Sequence, residues 1–404
     1  MEIIKEIPKE NLNLNDQANQ ANPYLMYAGL REKTPVCLFK NGIYALTRYD
    51  DVSAALRSPE NFFDGASVGG RGDWLPEDCE HAAFMVSESP PDHEKYRAIA
   101  NRLFLPKVIN EYKDFMAQTA DALLDRVTPG QPFNFVREFA EPYTSAVLAK
   151  IVGIHTSTNQ YADLVRKWHF LSEQNTPDAP ESHRRDVIQI TRELNAAYEK
   201  ILEERRNNPS DDFISMLLSA KIDNERLSRK VVYGALDLFL SAGFTTTAQH
   251  VSNAILELAH RPELLATLAG NRDEIPAFNE ELLRFSGPTH SVMRTTVRPV
   301  TIEGLTIPQG KPVHLLIASA NRDPRVFDSP NEFLLHRPNI KRQIAFGYGV
   351  HICLGAALVR LETQVVLERM LERFSRIRCP RHEELDWAAT LFTRGTKELP
   401  TVFQ

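Results

Sequence analysis

Phe346-Gly347-Tyr348-Gly349-Val350-His351-Ile352-Cys353-Leu354-Gly355 is the stretch on which the reading of this chain turns. Three of its ten residues are glycine, and a helical pattern follows over 355–374. Glycine allows positive φ and lets the backbone approach a flat object closely. A cysteine placed here sits near a helix start, where free N–H groups and the helix dipole favour a thiolate. A thiolate is a strong, electron-releasing ligand for iron. Taken alone, Cys353 reads more simply as a buried structural thiol, since unpaired cysteines are commonly buried.

Working outward, the other three cysteines, Cys37, Cys79 and Cys379, are far apart and form no C-x-x-C. A zinc ribbon, a thioredoxin-like site and a disulfide framework are all poor fits, and a reducing compartment suits the pattern. The first residues, MEIIKEIPKENLNLNDQ, contain no apolar core of a secretory signal, and no run approaches ~18 continuous apolar residues. The expectation is a cytoplasmic protein with no membrane association. Hydrophobic residues are 43% and charged residues 25% of 404, which excludes disordered and fibrous classes. The net charge of −6 argues against a nucleic-acid partner.

Secondary structure reads as mainly helical with a minor sheet, an α+β chain dominated by α. Val36 to Phe39 and Ile43 to Leu46 flank Asn41-Gly42, which predicts a hairpin with a tight type I′ turn. Asp50 or Asp51 is placed to cap a short helix carrying Val52, Ala55 and Leu56. Residues 61–91 are rich in Gly and Pro and read as a long loop of the kind that forms lids. Helical spacing recurs near 107–127, 137–152, 158–172, 184–206 and 211–219. The longest helix is expected over Arg229–His260, with Ser228 as N-cap and Pro262 beyond it, spanning roughly 48 Å. It is apolar on most sides and so belongs in an interior. Strand-like runs return at 297–303 and 312–317.

The loop around Cys353 resembles the heme-ligand loop of the cytochrome P450 family. Other motifs arrive in the order that family shows, and the resemblance covers roughly residues 20–404. It implies one catalytic domain over 1–404, with 1–20 loosely held, and heme b as cofactor. It implies that Cys353 is the iron ligand and that Phe346 lies against the heme. Glu281-Leu282-Leu283-Arg284 is similar to the family's E-x-x-R motif, with Arg337 as third partner. The implied Glu281–Arg284–Arg337 cluster is structural and holds the heme-ligand loop. The heme brings about two propionate charges, which need cationic or hydrogen-bonding partners. His93 and Arg97, in Pro90-Pro91-Asp92-His93-Glu94-Lys95-Tyr96-Arg97, match two donors; Arg294 and His351 match two more.

Ser241-Ala242-Gly243-Phe244-Thr245-Thr246-Thr247 lies mid-way along the long helix. Gly243 costs about 1 kcal/mol against alanine there, and threonines that bond back to earlier carbonyls bend helices. Both features open a groove. The stretch is similar to the family's oxygen-activating A-G-x-[acid]-T-T, in which Thr246 matches the oxygen-contacting threonine. The family usually has an acid directly before it; this chain has Thr245. A threonine cannot release a proton to solvent near neutral pH, and heterolytic O–O cleavage needs protons. Three readings stay open: a water chain through Thr245 and Thr246, protons from the substrate or another side chain, or a peroxide-driven or unusual oxidation. Asp237 is about two turns back and is a poor candidate for the missing acid.

By resemblance, Leu238, Ser241, Ala242, Thr245, His290, Val292 and Phe392 line the substrate pocket, with Phe84 and Met85 reaching in from the loop. Arg71 is a further candidate anchor. These residues imply a small to medium, partly apolar organic substrate, although each fits an ordinary core equally well. Between Arg337 and His382 there are nine Lys/Arg and three Asp/Glu, so the stretch is +6 and the remainder −12. A basic face, joined by Arg102 and Lys107, suits a small acidic electron donor of the ferredoxin or flavodoxin type. The bland alternative is a solvated face of i,i+4 pairs. No G-x-G-x-x-G opens a strand–turn–helix unit, so electrons must come from another chain. The function implied is a monooxygenase inserting one atom of O2. A peroxide-driven or desaturating heme-thiolate oxidase is the second reading, and a heme-based binder or sensor the third.

Overall fold

Strands Val36–Phe39 and Tyr44–Leu46 form the expected hairpin, but not with the expected turn. The register pairs Val36 with Leu46 and Leu38 with Tyr44, too open for a two-residue loop. Gly42 has φ 82°, Asn41 is not among the positive-φ residues, and the Gly42 N–H bonds the Phe39 carbonyl at 2.9 Å. That is a type I turn followed by a left-handed glycine, the three-residue solution. The helix after it, Tyr49–Leu56, has no side-chain cap of its own. Asp50 and Asp51 sit inside its first turn, and the first N–H, of Tyr49, is satisfied by Asp323 Oδ2 at 2.9 Å.

The computed structural model describes residues 7–10, 17–63, 76–79, 84–86, 88, 90–154, 164, 167–168, 171, 180–389 and 392–404. Arg71, most of the glycine-rich loop and most of the helix expected at 158–172 lie outside the described residues. The chain divides into two compact units: Met1–Phe63, Lys113–Tyr143 and Thr246–Gln404 form one, Asp64–Tyr112 and Thr144–Thr245 the other.

The first unit contains a six-stranded mixed sheet. Its order is Lys9–Glu10, Val36–Phe39, Tyr44–Leu46, Pro312–Leu315, Val292–Thr296 and Phe62–Phe63. Pro312–Leu315 runs parallel to Tyr44–Leu46 and antiparallel to Val292–Thr296. One core cluster joins Leu46, Val52, Leu56, Val313, Leu315, Phe327 and Ile344, all buried. Each such side chain contributes roughly 1.5–3 kcal/mol through burial. Ile344 carries that core to the edge of the cysteine loop. Of the run expected as a strand at 297–303, only Val300–Ile302 is one, and it pairs with Leu305–Ile307 in a separate hairpin, while the sheet takes the preceding Val292–Thr296. Helices Ile275–Ser286 and Ala356–Arg373 complete the unit's core.

Helix Glu181–Asn207 and helix Phe213–Ser219 belong to the second unit, as does helix Asp92–Asn101. The pattern at 107–127 is two helices, Pro106–Glu111 and Lys113–Leu124, rather than one. The pattern at 137–152 begins as a π-helical segment, Phe135–Ala140, and becomes α only at Glu141. Arg229–His260 is a single helix with the expected bounds. Ser228 Oγ accepts from the Val231 N–H at 3.3 Å, as an N-cap should. Its most apolar window, long enough to cross a membrane, is 67% buried inside the protein. Its apolar surface is therefore accounted for by packing.

Candidate active site

The cysteine loop is held before and after its turn. Ahead of it, the Ile344 N–H donates to Asn321 Oδ1 at 2.8 Å and the Ala345 N–H to Gln343 Oε1 at 2.7 Å. The Cys353 N–H then closes the loop on the Phe346 carbonyl at 2.8 Å. Gly347 and Gly349 have φ 73° and 77°. A Cβ on Gly349 would lie 2.6 Å from the Leu56 carbonyl oxygen, so that glycine is required by space as well as by φ. A Cβ on Gly355 would meet only the Cys353 sulfur, at 3.9 Å. Cys353 is exposed, and its neighbour Ile352 is 44% exposed. The thiol and the apolar Ile352 beside it are thus both presented on the outside of the loop.

A side-chain clamp that the sequence did not announce fixes Phe346. The Arg360 guanidinium lies 4.7 Å over the Phe346 ring. Both carboxylate oxygens of Glu280 accept from that guanidinium, Nη2 reaching Oε2 at 3.1 Å. Gln343 Nε2 donates to the same Oε2 at 3.1 Å, and Asn279 Nδ2 to the Arg360 carbonyl at 3.3 Å. No spacing rule connects residues 80 positions apart.

Glu281, Arg284 and Arg337 are brought together as the motif implied, all with side chains at most 1% exposed. Arg284 Nε and Nη2 donate to the two carboxylate oxygens at 2.8 and 2.7 Å. Arg337 Nε and Nη2 add bonds of 3.1 and 3.0 Å, and the Leu334 N–H one of 2.9 Å. Arg284 also donates to the carbonyls of Asn321, Pro330 and Glu332. Burial alone pushes the Glu281 carboxyl up, but the two guanidinium groups outweigh it and the net shift is downward. A buried ion cluster is tolerated only when satisfied this completely.

The remaining expected contacts in the first unit take different places. Arg294 is buried on its strand and donates to the Met293 carbonyl at 2.8 Å. His351 is half-buried in the short turn Gly349–His351. Val292 is half-buried against the sheet core, and the Phe392 ring stands 5.1 Å from His314. Thr246 is half-buried. His290 is directed into the core: it is 1% exposed, its Nδ1 is 3.0 Å from the Tyr27 hydroxyl, and its ring packs on Tyr24 and Tyr27. Burial holds its pKa well below 6.5. The ring is held neutral by its enclosure, and its buried Nε2 has no hydrogen-bond partner among the described residues.

In the second unit, His93 and Arg97 share one face of helix Asp92–Asn101, a turn apart. Burial first, then the Arg97 charge, lowers the His93 pKa. Leu238, Ser241 and Thr245 are half-buried, and Ala242 is exposed. Ser241 Oγ bonds back to the Asp237 carbonyl at 2.6 Å. Asp237 itself is buried and accepts from the Tyr198 hydroxyl at 2.8 Å. The space beside Gly243 is not an open groove: a Cβ there would lie 3.1 Å from Leu148 Cδ1. Phe84 is 3% exposed and belongs to a ring cluster with Tyr96 at 5.1 Å and Phe239 at 6.2 Å. Its ring packs in the core, as does the neighbouring Met85.

The family model described as Cytochrome P450 matches residues 13–400. The chain belongs to the cytochrome P450 family. It is 31% identical to cytochrome P450 107B1 of Saccharopolyspora erythraea, over 95% of this chain and 96% of that one. The solved structure of P450 CYP109Q5 from Chondromyces apiculatus superposes with TM-score 0.86 at 29% identity, covering 98% and 99% of the two chains. CYP109E1 from Bacillus megaterium, in complex with testosterone, gives TM-score 0.85 at 27% identity, covering 96% and 99%. This P450 is a monooxygenase, and its cofactor is heme b.

The residues present fit that cofactor. Among the described residues, no three His, Cys, Asp or Glu side chains gather to hold a bare metal ion. A lone exposed cysteine suits a metal that arrives already held by a macrocycle. The glycine floor and the apolar Ile352 are complementary to a flat apolar group. The sequence reading found the thiol loop and the Glu281 cluster; it could not find the Glu280–Arg360 clamp or the inward turn of His290.

Proposed function

We propose that this P450 inserts one atom of O2 into a small to medium, partly apolar organic substrate, with Cys353 as the iron ligand. What supports this reading is the exposed Cys353 thiol on a loop that two positive-φ glycines shape. Bound there, heme b supplies the oxygen-activating chemistry. Cys353 supplies a negative sulfur beside the start of helix Ala356–Arg373, whose first N–H groups favour the thiolate. His93, Arg97, Arg294 and His351 bind the propionates. The Glu281–Arg284–Arg337 cluster holds the loop in place. Thr246 orients a proton at its Oγ1 toward the reacting oxygen, and Thr245 stands where an acid would, so protons pass through hydroxyls and water. Leu238, Ser241, Ala242, Val292 and Phe392 form the substrate wall, with His290, whose buried Nε2 is unpartnered among the described residues, and the buried Phe84 behind it. The Bacillus megaterium relative was solved in complex with testosterone, a ligand of the largely apolar, small to medium class proposed here.

The decisive experiment is the absorption spectrum of the reduced, carbon monoxide-bound protein. Wild type should show the thiolate-ligated signature and Cys353→Ala should not. A variant with an unaltered spectrum refutes the assignment of the ligand. Thr245 also favours a second reading, peroxide-driven or desaturating oxidation, which peroxide supplied without reductant separates from the first.

Electrons come from a separate acidic protein of ferredoxin or flavodoxin type, in the cytoplasm, docking on a basic face. The basic stretch is smaller than its charge count. Arg337 is buried on Glu281, Arg360 pairs with Glu280, Arg369 and Arg373 with Asp121, and Arg381 with Glu384. Lys341 and Arg342 stay exposed, as do Arg57, 4.9 Å over the Tyr348 ring, and Arg102 and Lys107. Arg342→Glu should slow reduction by the donor, most strongly at low salt; an unchanged rate at low salt removes this face from the model of transfer.

A further inference from the structure

The first unit carries a cleft of about 820 Å³ whose lining includes Glu257, Arg261, Arg322 and Arg394 with the amides of Asn22 and Asn331. None of these residues belongs to the cysteine loop. Three guanidinium groups reach it from three elements: just beyond the end of the long helix, just after helix Ile317–Ala320, and strand Arg394–Thr396.

Arg322 is 5% exposed and lies between the rings of Tyr24 and Phe285, 3.7 Å from each centroid. Its Nε donates to the Phe285 carbonyl at 3.2 Å and its Nη1 to Asn331 Oδ1 at 3.2 Å. Arg394 is 3% exposed and stacks 3.4 Å over Trp387. Its Nε and Nη2 donate to the carbonyls of Gln20 and Ala21 at 2.8 and 2.6 Å. Among the described residues its Nη1 makes no hydrogen bond, and neither arginine has a carboxylate partner. Glu257, the buried carboxylate of the lining, is paired with Arg261. Glu383 also borders the cleft but is exposed.

Carbonyls and ring faces accommodate these cations, and the single buried carboxylate of the lining, Glu257, touches Arg261 and reaches Arg322 and Arg394 only through its longer-range charge, one acid against three guanidinium groups. Burial pulls the Arg322 pKa down to about 10 and lowers that of Arg394 as well. An uncompensated buried charge is costly, and the cost falls when a counter-charge arrives. Guanidinium groups only donate, and phosphate and carboxylate oxygens accept, so the lining and such an anion are complementary.

We propose that this cleft binds a small anion bearing phosphate or carboxylate groups, held by Arg261, Arg322 and Arg394. The site would serve as a ligand-dependent brace, since anything bound only by the folded state stabilises it.

The test is thermal unfolding of the heme-loaded protein, followed by circular dichroism, against inorganic phosphate and against citrate, with chloride at matched ionic strength as reference. The midpoint should rise with saturation for at least one of the two. If both act no more strongly than chloride, the proposal fails. Asn331→Asp keeps the acceptor to Arg322 and installs a fixed negative charge beside it. That variant should bind the anion on the order of tenfold more weakly. Glu257→Gln removes the competing carboxylate and should bind it more tightly. An Asn331→Asp protein that responds like wild type places any binding elsewhere and overturns the assignment.

Discussion

Replacing Glu281 by Gln keeps the shape of the side chain and removes one charge. Arg284 and Arg337 are then left in the interior with no carboxylate, since Glu281 is the acid that both contact. Breaking one partner out of a buried ion cluster costs about 3–5 kcal/mol. Unfolding entropy of ~2.1 cal/mol/K per residue gives ~0.85 kcal/mol/K for 404 residues unfolding together. The expected fall in Tm is therefore about 4–6 °C at pH 7. The Glu281 carboxyl titrates below its ordinary 4.5 in the folded state. Its contribution is complete above that value and is lost as pH falls through the folded pKa. The gap between wild type and Glu281→Gln should therefore narrow below about pH 4.5. Thermal melts of both heme-loaded proteins across that range measure it. A variant within 1 °C or so of wild type at pH 7, or a gap that ignores pH, refutes the reasoning.

Other perturbations probe the same frame. Glu280→Gln weakens the grip on Arg360, and with it a cation–π contact worth about 0.5–2 kcal/mol; the reduced carbon monoxide complex should lose its thiolate signature at a lower temperature, and an unchanged transition would dismiss the clamp. Gly349→Ala forces a Cβ to within 2.6 Å of the Leu56 carbonyl at a φ of 77°; heme retention on dialysis should drop, with stability lower by about 1–3 kcal/mol. Thr245→Asp restores an acid before Thr246, and product formed per reductant consumed should rise; a fall would show that the hydroxyl route is not deficient. His250 and His314 are each held down to about 4 by burial. The unfolded chain takes up their protons first as pH falls below 6.5, so each removes about 1.4 kcal/mol of stability per pH unit down to about 4. His314→Gln should flatten that slope in acid denaturation.

The parts of this P450 that were legible are those written in local spacing. Arg229–His260 was bounded correctly because its apolar surface is continuous and its Ser228 cap adjacent. Ala356–Arg373 followed from the glycines before it and the apolar spacing within it. Contacts between distant residues were not legible. Asn41-Gly42 predicts a two-residue turn, but the register imposed by the sheet asks for three. Asp50 and Asp51 look like caps, yet it is Asp323, from far along the chain, whose carboxylate accepts from the first N–H of the helix. His290 has a polar ring, and its position near Tyr27 turns that ring into core. The basic stretch around Arg360 is half cancelled by acids from other helices, which a count along the chain does not register.

Gly349 abuts the last turn of helix Tyr49–Leu56, whose first turn is anchored by Asp323. Residues 274 positions apart in the chain therefore share the support of the loop that carries Cys353. If Cys353 holds the heme as proposed, uptake of iron porphyrin should require helix Tyr49–Leu56 to be seated against Gly349.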